Sequence, residues 1–226
     1  YKNVYAFITP SEFLKKKLSL NGFEEKRIHC IPTFTASKTT IGKQQIGSYG
    51  LYFGRVTEEK GVETVIKAYE KLPEYTVKIM GDDTTDEAKR LKKYVENHKM
   101  KNVEFLGFKS GAELENVIKG ARFTLIPSIW YDNLPNTALE SFQYSKPVIA
   151  SNIGSLPELV IDGENGYLFK PSNVEDLIKK IKMLDDDTLV KKMGQASRKR
   201  LESRFAPQTH YEDLMKIFNE AVKSRK

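Results

Sequence analysis

Short apolar runs alternate along the chain with longer stretches in which apolar residues recur every three to four positions. The runs at 4–8, 28–31, 49–53, 76–80, 103–106, 123–126 and 147–150 have strand length and read as buried strands. Between them, Val62, Val65, Ile66 and Tyr69 share one face of a helix over 62–72. Ser110 and Glu113 form a capping box ahead of Leu114, Val117 and Ile118, and Thr84 with Glu87 forms another before 88–97. This alternation predicts an α/β fold, a Rossmann-like parallel sheet with helices on both faces. Beyond residue 170 three helical segments follow, near 173–184, 187–204 and 208–223, and predict a helical C-terminal cap.

The small, polar, aperiodic stretch 34–48 reads as a linker. It separates a strand–helix–strand unit over 1–33, expected to belong to a different sheet, from the main domain over 49–205 and a last helix over 206–226. The chain opens on Tyr1 rather than Met and alternates too soon with polar groups for a signal peptide, so it reads as the interior of a longer protein.

Composition narrows the function. With 226 residues and 39% apolar content the chain can bury an ordinary core, and it has no apolar run of membrane-spanning length. The single cysteine, Cys30, excludes an internal disulfide and fits a reducing compartment; it sits in an apolar run as a structural thiol. His29, His98 and His210 are scattered, so no metal site is expected. A net charge of +7 invites a nucleic-acid or anionic-lipid partner. The cations are interleaved with acids over 87–101 and 175–204, however, which is the pattern of solvated helix faces.

Open parallel sheets bind ligands at the carboxyl ends of their strands, which directs attention to loops 54–61, 81–85, 107–111, 127–135 and 151–157. In the first, Gly54 lets the chain turn, and Arg55 and Lys60 flank the next helix as a bidentate fork and a mobile point charge, suited to a diphosphate. Pairing of both cations with Glu58 and Glu59 is the plainer reading. In the fourth, Pro135 is placed as a first helical residue whose following amides face an anion. Asp132 and Glu140 stand either side of that start, in reach of sugar or ribose hydroxyls, or serve only as a cap and a helix-surface acid. Trp130 and Tyr131 offer faces for stacking on a ligand, or partial core. Residues 154–158 start a short helix facing the ligand, or make a bare turn, and 162–166 make a Gly- and Asn-dense turn.

No G-x-G-x-x-G follows the first strand and no G-x-x-x-x-G-K-[ST] occurs, which disfavours dinucleotide oxidoreductases and P-loop enzymes. Asp185, Asp186 and Asp187 hold a D-x-D spacing but read as acids at a helix start.

Five segments in order, GRVTEEKGVETVIKAY, YTVKIMGD, NVEFLGF, PSIWYDNLPNTALESFQYSKPVIASNIGSLPEL and DGENGYLF, resemble the donor-binding C-terminal domain of the group 1 retaining glycosyltransferases, family four, of GT-B fold. The resemblance runs from about 49 to 205, and 1–32 looks like the last piece of the acceptor-side domain. It implies that Arg55 and Lys60 bind the donor diphosphate, while Asp132 and Glu140 match a two-carboxylate motif whose earlier acid binds the transferred sugar and whose later acid binds the ribose. Asn133, Leu134, Pro135, Asn136 and Thr137 correspond to the stretch of backbone donors. Phe108 falls where the base is held, and Gly54 and Gly81 border the site. Two departures bear on the sugar: Asp132 replaces a glutamate, and Gly154-Ser155 replaces a double glycine.

The activity implied is transfer of a sugar from a nucleoside-diphosphate sugar to a glycan or lipid-linked acceptor, with retention and no cofactor or metal, in polysaccharide or lipopolysaccharide assembly. Arg55, Lys60 and Asp132 would be its catalytic groups. The fragment is expected to bind donor and to transfer little alone. The cytoplasm is the expected compartment, and the charge agrees with work at the inner membrane face. Two alternatives stay open: a nucleotide-sugar epimerase or phosphorylase of the same fold, and a non-enzymatic basic module for nucleic acid or anionic lipid. The expected partner is a nucleotide sugar, and no nucleic acid is expected.

Overall fold

A computed structural model describes residues 3–35 and 45–224, so most of the expected linker lies outside the described residues. The N-terminal unit is β1 (Phe7–Thr9), α1 (Glu12–Leu20) and β2 (Ile28–Cys30), and its two strands pair in parallel in a sheet of their own. The first strand is shorter and later than the pattern predicts, because Val4 and Tyr5 are exposed and bury nothing. Cys30 is half-buried, and burial pushes its thiol up to about 12.

The main sheet is built from β3 (Tyr49–Phe53), β4 (Thr76–Met80), β5 (Val103–Gly107), β6 (Ala121–Ile126), β7 (Val148–Ser151) and β8 (Gly166–Phe169). The strands lie parallel in the order β5-β4-β3-β6-β7-β8. The chain moves outward from β3 to β5, then returns to the far side of β3 and moves outward again. The switch point between β3 and β6 opens a crevice at their carboxyl ends, where doubly wound sheets take ligands. Helices α2 (Val62–Glu70), α3 (Asp86–Asn97), α4 (Gly111–Gly120), α5 (Asn136–Gln143), the short α6 (Leu156–Leu159), α7 (Val174–Lys182) and α8 (Asp187–Arg204) cover the sheet; α9 (Pro207–Lys223) follows.

Period-two alternation divides the core between the two faces. Tyr52, Val77, Ile79, Leu125 and Ile149 pack with α2, α3 and α7. Val148 and Ala150 face the other way, against α5, α6 and α8, while Leu51, Phe53 and Met80 meet Ile118 of α4. The surface cations are largely paired along helix faces, as in Lys67–Glu63, Arg90–Glu87 and Arg198–Glu202. Among the described residues no helix is long and apolar enough to cross a membrane.

Several local expectations change. β8 is absent from the predicted strands; it begins on the last residue of the predicted turn 162–166, and its four residues carry little periodicity. Thr85, not Thr84, caps α3 by accepting from the Ala88 amide, because Thr84 is bonded to Asp82. Ser110 holds the cap position of α4 without a side-chain bond, so the expected capping box is not formed. Asp186 caps α8 by accepting from the Thr188 amide, Asp187 pairs with Arg122 and Asp185 accepts from Tyr75. The D-x-D acids are thus engaged in helix capping and packing.

One buried cation had no signal in the sequence. Lys146 is 1% exposed, and its ammonium donates to the carbonyls of Gln45, Lys119 and Ala121, each at 2.7 Å. Burial pushes its pKa down to about 8, while three carbonyl acceptors hold the protonated form in place.

Candidate active site

Two adjoining cavities open at the carboxyl ends of β3 and β6. The first, of about 320 Å³, is lined by Phe53, Gly54, Met80, Gly81, Phe108 and Glu140, with Arg55, Asp82, Lys109, Leu114 and Thr137 completing its wall. The second, of about 250 Å³, shares Gly54, Arg55, Thr137 and Glu140 and adds Lys60, Ser128, Asp132, Pro135 and Asn136. One end is therefore apolar with an exposed ring, Phe108, and the other is polar and charged.

The loop after β3 begins at Gly54, whose φ of 146° an L side chain rarely adopts. Arg55 leaves this turn 73% exposed, with Glu59 only loosely paired at 3.8 Å. Tyr52, buried beneath, donates its hydroxyl to the Arg55 carbonyl and fixes the turn; burial, then the nearby Asp132 carboxylate, pushes its own pKa up. Lys60 ends the following turn and pairs with Asp132 at 2.5 Å, both side chains being largely buried. The acid's second oxygen accepts from the buried Ser128. Pairing of both cations with Glu58 and Glu59 therefore holds only for Arg55. The Ile129 amide donates to the Glu59 carbonyl, so the two loops are joined by backbone as well.

Pro135 occupies the cap position of α5 with ψ of 128°, and the helix begins one residue later than expected, at Asn136. The cause is Leu134, which is held in the left-handed region at φ 56° and turns the chain immediately before the proline. The first turn of α5 still opens on the second cavity through Asn136 and Thr137, and a helix start of this kind favours an anion. Leu134 itself is buried in the core, and its amide is committed to the Ser155 hydroxyl at 2.6 Å rather than free for a ligand. Asn133 lines neither cavity and accepts from Ser11 through its side chain at 2.5 Å. Glu140, on the next turn of α5, sits between the two cavities, and burial raises its carboxyl above the ordinary range.

The aromatic pair of this loop faces elsewhere. Trp130 and Tyr131 are exposed and line neither cavity; Tyr131 packs on Phe13 of α1 at 5.2 Å, with the Lys17 ammonium over its ring. Residues 154–158 do start a helix, but its amides do not face the cavities. The Ser155 amide donates to the Asp132 carbonyl, and Glu158 accepts from the Glu12 and Phe13 amides at the start of α1. Sequence reasoning did not single out Tyr52, Ser128, Asp82 and Lys109, although Ser128 and Asp82 lie within the segments PSIWYDNLP and YTVKIMGD; tertiary placement brings all four to the site.

The doubly wound sheet thus gathers two cations, a helix start and two carboxylates in a switch-point crevice at the carboxyl ends of β3 and β6. The chain matches the family described as Glycosyl transferases group 1 over residues 37–200 and belongs to that family. It is 30% identical over 174 residues to an uncharacterised glycosyltransferase of Methanocaldococcus jannaschii, covering 76% of this chain and 48% of that one. It is 31% identical over 186 residues to a glycogen synthase of Mycobacterium tuberculosis, covering 78% and 42%. The chain thus spans about half the length of these relatives. In structure it is similar to the Anabaena protein HepE crystallised in complex with UDP, with a TM-score of 0.87, 20% identity, and coverage of 96% of this chain and 64% of that one. That likeness bears out the GT-B type of α/β fold.

Proposed function

We propose that this chain is the donor-binding part of a glycosyltransferase that takes a sugar from a nucleoside-diphosphate sugar and transfers it with retention. The observation that carries the reading is the convergence of Arg55, Lys60 and the start of α5 on one polar cavity, next to an apolar cavity flanked by Phe108. The polar end suits a diphosphate, and the apolar end suits a nucleobase. Glu140, at their junction, suits the ribose that joins the two. HepE, of the same fold, was crystallised in complex with UDP. The leaving diphosphate gains negative charge as the glycosidic bond breaks, and fixed cations and helix amides oriented toward it lower the barrier.

The acceptor site would come from the part of the relatives that this chain does not span, so donor binding without appreciable transfer is the expected behaviour. Polysaccharide or lipopolysaccharide assembly is the setting proposed, and one relative is named a glycogen synthase. An epimerase of the same fold would isomerise the donor sugar, whereas the full-length protein is expected to transfer it to an acceptor; analysis of the sugar products after incubation with donor separates the two.

Glu140→Gln tests the ribose role. The variant is expected to bind the nucleoside diphosphate roughly tenfold more weakly, the value of one charge-assisted hydrogen-bond difference. Pyrophosphate, which has no ribose, should bind it as it binds the wild type; equal losses for both would remove Glu140 from the ribose. A pH profile gives a second reading. The ionised carboxylate is the stronger, charge-assisted acceptor of hydroxyl protons, and burial raises the Glu140 pKa, so protons compete with nucleotide at a higher pH than at an ordinary glutamate. Affinity should therefore fall with acidification earlier in the wild type than in Glu140→Gln, where only the phosphate titration remains.

A further inference from the structure

The loop that carries Asp132 into α5 is held by a residue outside both cavities. Leu134 takes a left-handed backbone without being glycine, and such a residue persists only when its surroundings hold it there. Ser155 supplies that hold. Its hydroxyl accepts from the Leu134 amide at 2.6 Å and donates to the Asp132 carbonyl at 2.8 Å, and its own amide donates to the same carbonyl at 3.1 Å. The residue is fully buried. Beside it Gly154 has φ of 61°, and a Cβ there would stand 2.9 Å from the Asp132 carbonyl oxygen and 3.1 Å from the Tyr131 Cα. The two backbones are therefore in direct contact, and glycine at 154 admits the approach that brings Ser155 to the loop.

We propose that Ser155 is a positioning residue for donor binding: by bracing Asp132 and Leu134 it sets the register at which Pro135 and the first amides of α5 meet the diphosphate. This rests on the donor-binding reading above, and it concerns the position at which the resembling family carries the second of two glycines, which has no side chain. In this chain the hydroxyl adds a side-chain bridge to the bond that the Ser155 amide already makes to the Asp132 carbonyl. The strain at Leu134 and the amide array at Asn136 and Thr137 are then two ends of one braced segment.

The test uses this chain with Ser155→Ala and Ser155→Gly, read by amide exchange without nucleotide and by calorimetry with UDP, GDP and ADP. In both variants the Leu134 amide should exchange roughly tenfold faster, the effect of losing one buried hydrogen bond, while amides of β3 and β4 keep their rates. The nucleotide that the wild type binds should bind roughly tenfold more weakly, by the same loss. Unchanged exchange at Leu134, exchange raised evenly across the core, or full affinity with Leu134 released would each overturn the proposal. Loss of the fold in both variants would equally count against a local role. A wild type that binds none of the three nucleotides would sink the donor-binding reading, and the exchange data would still decide whether Ser155 braces the loop.

Discussion

Replacing Lys60 by alanine is expected to weaken binding of the cognate nucleoside diphosphate about 100-fold, the worth of a partly buried charge-assisted contact. Two losses add in this variant. The phosphate loses its ammonium partner, and Asp132, largely buried, keeps only the Ser128 hydroxyl beside an incoming dianion. If the site serves transfer as proposed, the same change should raise the barrier by about 3–4 kcal/mol, the usual cost of removing a fixed group from developing charge. Arg55→Ala should cost less, about tenfold in affinity, because its guanidinium is mostly solvated before the ligand arrives. Calorimetry on the two variants side by side checks the ranking. Equal and small losses would mean that the cations are only surface charges.

Lys146→Met should lower stability by about 3 kcal/mol, because it takes the donor from three carbonyls, that of Ala121 fully buried and those of Lys119 and Gln45 partly so. For a domain of this size that is a fall in Tm of about 6–12 °C. Methionine fills much of the same volume, so the loss reports the polar contacts rather than a cavity. The carbonyls belong to the end of α4, the start of β6 and the stretch just before β3, so the ammonium ties the two strands that flank the crevice at their amino ends. Nucleotide affinity per folded molecule should be preserved, since Lys146 lines neither cavity. An unchanged Tm would show that water serves these carbonyls as well as the ammonium does.

Much of the fold was legible because its strands are short, apolar and separated by strongly periodic helices. The bounds of β3 and β4 follow directly from the runs 49–53 and 76–80. Strand order was not legible, and it is the order that makes loops 54–61 and 127–135 neighbours across the switch point. Arg55, Lys60, Asp132 and Glu140 could be named because their loops follow strands, and the structure brings them to one crevice edge. Their partners could not be named: Lys60 chooses Asp132, 72 residues away, over the adjacent glutamates. The one-residue shift at Pro135 has the same origin, since Leu134 is held left-handed by Ser155, a contact across 21 residues. Thr84 and Thr85 are equivalent as sequence, and only the Asp82 side chain decides which of them is left to cap α3.

The polar cavity between β3 and β6 is proposed to bind the diphosphate of a nucleotide sugar. The most direct test is calorimetric titration of this chain with UDP, GDP and ADP, repeated on Lys60→Ala. One-to-one binding of at least one of the three is expected, with most of that affinity lost in the variant. Absence of binding by all three, or binding that Lys60→Ala leaves intact, would contradict it.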